Sequence, residues 1–432
     1  MQYWKALRLL VQFKGLTVTY FTRHSENAFA LGLVIAMAVG GSAQADTTTT
    51  LRFGAISDDF LGRTEQYGIL AFDGVSISTS TRVGRLAFDL TLGDTFENEA
   101  VDSVLIFGDV GYRFGNDNWQ VGVGQFERHW SPSEYTSLIL SRNAPAFPSV
   151  YIRKEEARTS DVPVLRWIGP WNGEVFIGQT DDANQPDNAL ILGMRLGFEP
   201  IRDLEIELVR VAQYGGAGQP DGFDTFLDVL VGNSNEGDSA PANQIAGVGA
   251  SYRFGPETFS NRIYGQAVGE DEAGGLPSCF FFLYGLENKS RLFNADTTIT
   301  LEHVDTTVDF STAGFCGPNT AYNNDVYSYR NEGVVMGAAI GSESRSTSLR
   351  GKHEFDTWAL DWNVGKFTIN DASNPNHSLS STRETGTVVS VGASTQVWGG
   401  TLQGIVAHQS FDLDTAEQDS GVRIGVNFSR SF

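Results

Sequence analysis

The sequence predicts an all-β fold, a transmembrane antiparallel β-barrel of about eighteen strands with a plug-like insertion in its lumen. Three observations predict it. Segments of strict apolar/polar alternation recur along most of the chain, which is the period of a strand with two unlike faces. No apolar run long enough to cross a bilayer as a helix follows residue 45, so the alternating segments must make any crossing. The chain ends on VRIGVNFSRSF, with Val422, Ile424, Val426 and Phe428 on one parity and Arg423, Gly425, Asn427, Ser429 and Ser431 on the other. A soluble domain usually ends in a polar, frayed tail. A terminal aromatic on an alternating strand suits an outer-membrane barrel.

At the other end, Ala28 to Gly40 is an uncharged apolar run. Lys5, Arg8, Lys14 and Arg23 precede it, and Ser42-Ala43-Gln44-Ala45 follows. Positive region, short apolar region and small-residue exit are the parts of a secretory signal peptide. The run falls short of the ~20 residues a spanning helix needs. Residues 1–45 are therefore expected to be a cleaved signal and 46–432 the barrel, exported through the periplasm to the outer membrane, with lipid around it.

Composition agrees. The 432 residues include 48 Gly, 29 Phe, 13 Tyr and 8 Trp but only 4 Met, a bias toward strands and turns. Leu86, Phe88, Leu90 and Leu92 alternate with Ala87, Asp89, Thr91 and Gly93. The same pattern covers Leu204 to Leu208, Ala246 to Phe254, Trp358 to Val364 and Val389 to Val397. Charged residues such as Glu205 and Glu207 sit on the polar parity, which a wet lumen tolerates and a packed core does not. At roughly 20 to 22 residues per strand and connection, the mature chain makes about eighteen strands, with sixteen the neighbouring even number.

One stretch breaks the pattern. Residues 126–163 carry Pro132, Pro145, Pro148 and Pro163 and no sustained alternation. Proline donates nothing to a strand ladder, so this insert is expected to fold into the lumen or cap it. Arg128, Arg142, Arg153, Lys154 and Arg158 give it positive charge, which would pair with lumenal carboxylates such as Glu205 and Glu207.

Net charge is −22, and about −25 without the leader. That excludes nucleic acid as a partner, because phosphate contacts need Lys and Arg. Two cysteines, Cys279 and Cys316, in an exported chain suggest one disulfide. His129, His303, His353, His377 and His408 are scattered and belong to no nucleophile motif; His303 with Asp305, and His408, are candidate lumen groups. No Cys/His spacing marks a metal site, and neither catalysis nor a cofactor is expected.

The run HWSPSEYTSLILSRNAPAFPSVYIRK, which includes Trp130, Ser137, Arg142, Asn143 and Arg153, followed by LRWIGPWNGEVFIGQ, resembles the capsule assembly protein Wzi family. So do Arg210 to Gly216 (R-x-x-Q-x-G-G), Ala242 to Gly247, and Tyr264 to Gly274 with Glu270, Asp271 and Glu272. The resemblance implies an eighteen-stranded outer-membrane lectin that holds capsular polysaccharide or a related exopolysaccharide at the cell surface and is not an enzyme. Longer members carry a helical segment before the barrel; here the residues after Asp46 read directly as strands.

Sugar binding needs flat aromatic faces with convergent amides and hydroxyls. Candidate loops are Asn233 to Asn243, with Asn233 and Asn235; Asn319 to Tyr329, with Tyr322, Asn323, Asn324, Tyr327 and Tyr329; and Asn370 to Asn376. Glu270-Asp271-Glu272 is expected to be a solvated acidic loop or a partner for the insert's arginines, since three adjacent carboxylates rarely face one calcium ion. A monomer is favoured. The competing function is a passive or sugar-selective porin, which composition does not separate from a lectin.

Overall fold

The computed structural model describes residues 11–13, 16–18, 46–67, 73–95, 104–232, 242–273, 276–308 and 316–432. The expected signal peptide lies outside these, apart from Val11–Phe13 paired with Leu16–Val18.

Eighteen antiparallel strands close into one barrel. In chain order they are β1 (Asp46–Ile56), β2 (Gly74–Val83), β3 (Leu86–Thr95), β4 (Val104–Phe114), β5 (Trp119–Gln125), β6 (Pro148–Thr159), β7 (Pro170–Thr180), β8 (Ala189–Ile201), β9 (Leu204–Tyr214), β10 (Ala242–Phe254), β11 (Phe259–Ala273), β12 (Leu276–Leu292), β13 (Ala295–Asp305), β14 (Arg345–Glu354), β15 (Trp358–Ile369), β16 (Glu384–Val397), β17 (Gly400–Gln409) and β18 (Gly421–Ser431). Each pairs with its neighbours in sequence. The ring is shut by β18 against β1, in a register that sets Phe428 opposite Phe53.

The pleat decides which solvent each side chain meets. Val150, Ile152, Leu208, Ile263, Leu301, Val391 and Ile424 face out and are exposed. On the opposite parity Gln120, Glu207, Glu287, Glu302 and Asn363 are buried. A soluble β-protein has the reverse arrangement; this one suits hydrocarbon outside and a polar lumen inside.

The two rims differ. At one, links of two residues such as Arg202-Asp203, Phe293-Asn294 and Trp398-Gly399 join the strands, with Asp203 and Asn294 at positive φ as tight hairpins require. Both ends of the barrel chain lie at this rim. At the other rim most connections are long. The first carries a short helix, α1 (Arg63–Tyr67). A second short helix, α2 (Pro163–Arg166), sits in the longest link of the short-turn rim.

A third helix, α3 (Phe223–Val231), lies against the outside of the wall after β9. Its Val229 is fully buried together with outward-facing Leu192, Ala212, Tyr214 and Ala242. Arg210 donates to the carbonyls of Val229 and Leu230, which closes the helix's C-terminal end. Phe223 and Val231 point away from the wall and are exposed.

Two sequence expectations need correction here. The non-strand insert is narrower than 126–163: it runs from 126 to 147, and β6 starts at Pro148. Proline costs nothing at the first residue of a strand, where no ladder bond is lost. Arg153, Lys154 and Arg158 therefore belong to the wall. His303 and His408 are not lumen groups: each shares its parity with an exposed apolar neighbour, Leu301 and Val406, and His303 hydrogen-bonds Thr347 on the same outer face.

Candidate functional site

The lumen is occupied by two chain segments that meet at its centre. The first, 126–147, enters after β5. Arg128 anchors it: Nε donates to Glu174 on β7 at 2.8 Å, Nη2 donates to Ser149 on β6 at 2.8 Å, and the guanidinium lies 4.1 Å from the rings of Phe126 and Phe176. Serines then turn the backbone. Ser133 Oγ accepts from the amides of Tyr135 and Thr136 and donates to Glu302 on β13. Ser137 Oγ donates to the Trp130 carbonyl at 2.7 Å and accepts from the Ile139 amide. These local bonds replace the ladder that a proline-rich segment lacks. Gln266 on β11 grips the result from the wall, accepting from the Leu138 amide at 2.8 Å and donating to the Trp130 carbonyl at 2.7 Å. Leu138, Ile139 and Leu140 are buried at the centre.

The second segment comes from the connection between β13 and β14, its described residues being 306–308 and 316–344. Its tyrosines close on the first: Tyr322 Oη donates to the Leu138 carbonyl and Tyr329 Oη to the Ile139 carbonyl, both at 2.8 Å, with the two rings stacked at 5.7 Å. Burial pushes both hydroxyls well above the usual tyrosine range, so they remain donors. Asn143 Nδ2 donates to the Val335 carbonyl, Ser141 Oγ to that of Gly337, and Asn331 Nδ2 to that of Pro145. Cys279 on β12 and Cys316 form a disulfide with Cα atoms 5.3 Å apart, tying the second segment to the wall.

The candidate residues thus fall into separate groups. Trp130, Ser137, Arg142 and Asn143 all belong to the plug. Arg142 donates to the carbonyls of Glu65 and Glu134. Tyr322, Tyr327 and Tyr329, expected on a sugar-binding surface, are buried and hold the plug through their hydroxyls; Tyr327 Oη donates to Gly215. Asn324 Oδ1 caps a turn by accepting from the amides of Val326 and Tyr327, while Asn323 stands exposed beside it. Glu270 is buried rather than solvated. It accepts from Asn243 Nδ2 and from the Tyr322 amide at 2.9 Å. Asp271 and Glu272 lie on β11, but their side chains fall outside the described residues, as do Asn233 and Asn235. Arg128 of the insert pairs with a wall carboxylate as expected, though it is Glu174; Arg153 of the wall takes Glu155, and Glu207 takes Arg195 on the neighbouring strand.

Sequence reasoning missed the cleft at the long-loop rim. It has a volume of about 520 Å³ between the β7–β8 and β9–β10 connections and is lined by Gln179, Asp187, Asn188, Gln219 and Asp221. Its floor depends on Gly216, whose φ is +92° and whose missing Cβ would stand 2.9 Å from Pro186 and 3.1 Å from Ala189. The adjacent Ala217 amide donates to the Asp187 carbonyl at 2.9 Å. A cleft of amides and carboxylates with close backbone walls can take a ring of hydroxyls. The glycine pair 215–216 was the available signal.

Comparisons with known proteins follow the same lines. The family model described as capsule assembly protein Wzi matches residues 66–418. An uncharacterized 55.8 kDa protein in the cps region of Klebsiella pneumoniae is 34% identical over 172 residues, 39% of this chain; the match spans about a third, 34%, of that relative's length. Among solved structures, the chain is similar to Wzi of Escherichia coli, described as an outer-membrane, carbohydrate-binding β-barrel involved in group 1 capsule assembly. The TM-score is 0.73 at 19% identity, covering 95% of this chain and 90% of that one. OprD of Pseudomonas aeruginosa is more distant, with a TM-score of 0.53 at 10% identity over 90% of this chain and 95% of that one. At these identities the structural likeness shows the fold.

Proposed function

The chain belongs to the capsule assembly protein Wzi family, and on that premise we propose that it is a non-catalytic outer-membrane lectin. It binds capsular or related surface polysaccharide and helps hold it at the cell surface, as a monomer set in lipid with its short-turn rim toward the periplasm. The observation that carries this reading is the two-segment plug. With Leu138 to Leu140 buried at its centre and wall side chains gripping it from several strands, the plug leaves the long-loop rim as the polar surface that meets a glycan outside the cell. There the Asp187/Asn188/Gln219 cleft and the exposed Asn323 supply hydroxyl-binding groups. Periplasmic oxidation supports the Cys279–Cys316 bond that fixes the outer connection.

The alternative, a passive or sugar-selective porin, needs an open lumen. Two measurements on the purified chain separate them. Binding to the host's own capsular polysaccharide should weaken about five- to tenfold per hydrogen-bonding side chain lost, as in Asn188→Ala and Gln219→Ala. In a planar bilayer the protein should stay electrically silent. Steady large conductance without glycan binding would establish the porin instead.

A further inference from the structure

A second cavity lies on the other side of the plug. Its volume is about 340 Å³, and its wall is made by the short-turn halves of β14 to β18 and β1, with Tyr135 of the plug as its roof. Lys352 and Glu354 stand half exposed at its mouth and pair with each other at 2.8 Å.

The deep end is unlike the rest of the lumen. Three other lumen arginines each pair with a carboxylate: Arg128 with Glu174, Arg195 with Glu207, Arg262 with Glu287. Arg350 has no ion-pair partner among the described residues, although only 8% of it is exposed. It lies 4.3 Å over the Tyr135 ring, and its Nε meets no acceptor. Cross-strand from it is Asn363, 3% exposed, whose Oδ1 and Nδ2 both lack a partner. A buried amide without partners and a buried guanidinium Nε without an acceptor are costly unless a ligand or solvent completes them. Arg52, Arg350 and Lys352 against Glu354 and Asp361 make the lining net positive in a chain of net charge −22.

We propose that this cavity is a second saccharide site, entered from the short-turn rim, for a sugar unit that carries a carboxylate. Arg350 takes the carboxylate, the group its planar fork matches best. Asn363 supplies a donor and an acceptor to the flanking hydroxyls, and the volume suits a mono- or disaccharide. An acidic glycan that the chain's net negative charge repels meets a net positive lining here. The choice of a sugar rests on the carbohydrate reading above, but the site is separate from the outer cleft.

The test is calorimetric titration of the detergent-solubilised full chain with a hexuronic-acid-containing disaccharide and with its neutral hexose counterpart. The acidic sugar should bind at least tenfold more tightly. Arg350→Gln and Asn363→Leu should each weaken it tenfold or more. Asn363→Leu is the cleaner variant, because its amide holds nothing in the fold, and an unchanged unfolding temperature will show that the barrel is intact. Equal affinity for the two sugars, no heat from either, or full affinity in Asn363→Leu overturns the proposal. If the acidic disaccharide fails while outer-cleft variants still lose capsule binding, the surface reading stands and this one falls.

Discussion

Arg128→Ala tests whether the plug is held by its foot. The guanidinium side chain is 3% exposed and its partner Glu174 12% exposed, so removing the cation leaves a carboxylate in the lumen wall without its ion-pair partner. Breaking a buried pair this way costs about 3 to 5 kcal/mol. The contacts with Phe126 and Phe176, each at 4.1 Å, add about 0.5 to 2 kcal/mol apiece. Thermal unfolding in detergent should shift down by about 5 °C or more. In a planar bilayer the variant should show brief openings that the parent lacks. The double variant Arg128→Met/Glu174→Leu should recover most of the lost temperature, because it removes both charges and keeps the volume. Should Arg128→Ala unfold at the parent temperature and stay as silent, the anchoring role is wrong.

Three other perturbations follow from particular groups. Burial first, and then the Glu302 carboxylate, push the Glu65 carboxyl up to about 8 against the opposing pull of Arg350. A free carboxyl titrates near ~4.3, so between there and about 8 the folded chain holds a proton the unfolded chain has released, and stability falls as pH rises across that window. Glu65→Gln should flatten the unfolding temperature between pH 5 and 9 and raise it at pH 8. Cys279→Ser/Cys316→Ser opens a loop with a sequence separation of 37 and should cost about 4 kcal/mol on a chain-entropy basis. Unfolding midpoints with and without reductant would then coincide in the variant and differ in the parent. Val229→Asp puts a charge where α3 meets the wall and should release the helix, read as new protease cleavage within residues 215–232; unchanged resistance would mean the helix is held by something other than Val229.

The wall was legible in the sequence because a barrel has only one requirement per residue: alternate, with apolar side chains outward. Segments such as Leu86 to Leu92 and Ala246 to Phe254 satisfy it along most of their length, and the strand number followed from spacing. The plug was half legible. Proline made 126–147 stand out, but Pro148 and the charges after it extended the insert too far, since a proline at a strand's first residue looks the same in sequence as one in a loop. The second half, 306–344, carried no such mark. Tyr322 and Tyr329 resembled sugar platforms because an aromatic with a hydroxyl serves a glycan and a buried backbone carbonyl equally well; only burial distinguishes them. Pairings such as Arg128 with Glu174 depend on which strands face each other across the lumen, and alternation carries no information on that.

The stopper is made from two connections in the middle of the chain, while the ring is shut by strands from its two ends. Each half of the stopper is therefore leashed at both ends to the staves around it, β5 with β6 and β13 with β14, and Cys279–Cys316 adds a fifth tie. Such an object cannot be pushed out like a cork. Any passage through the molecule has to come from the two halves parting in place.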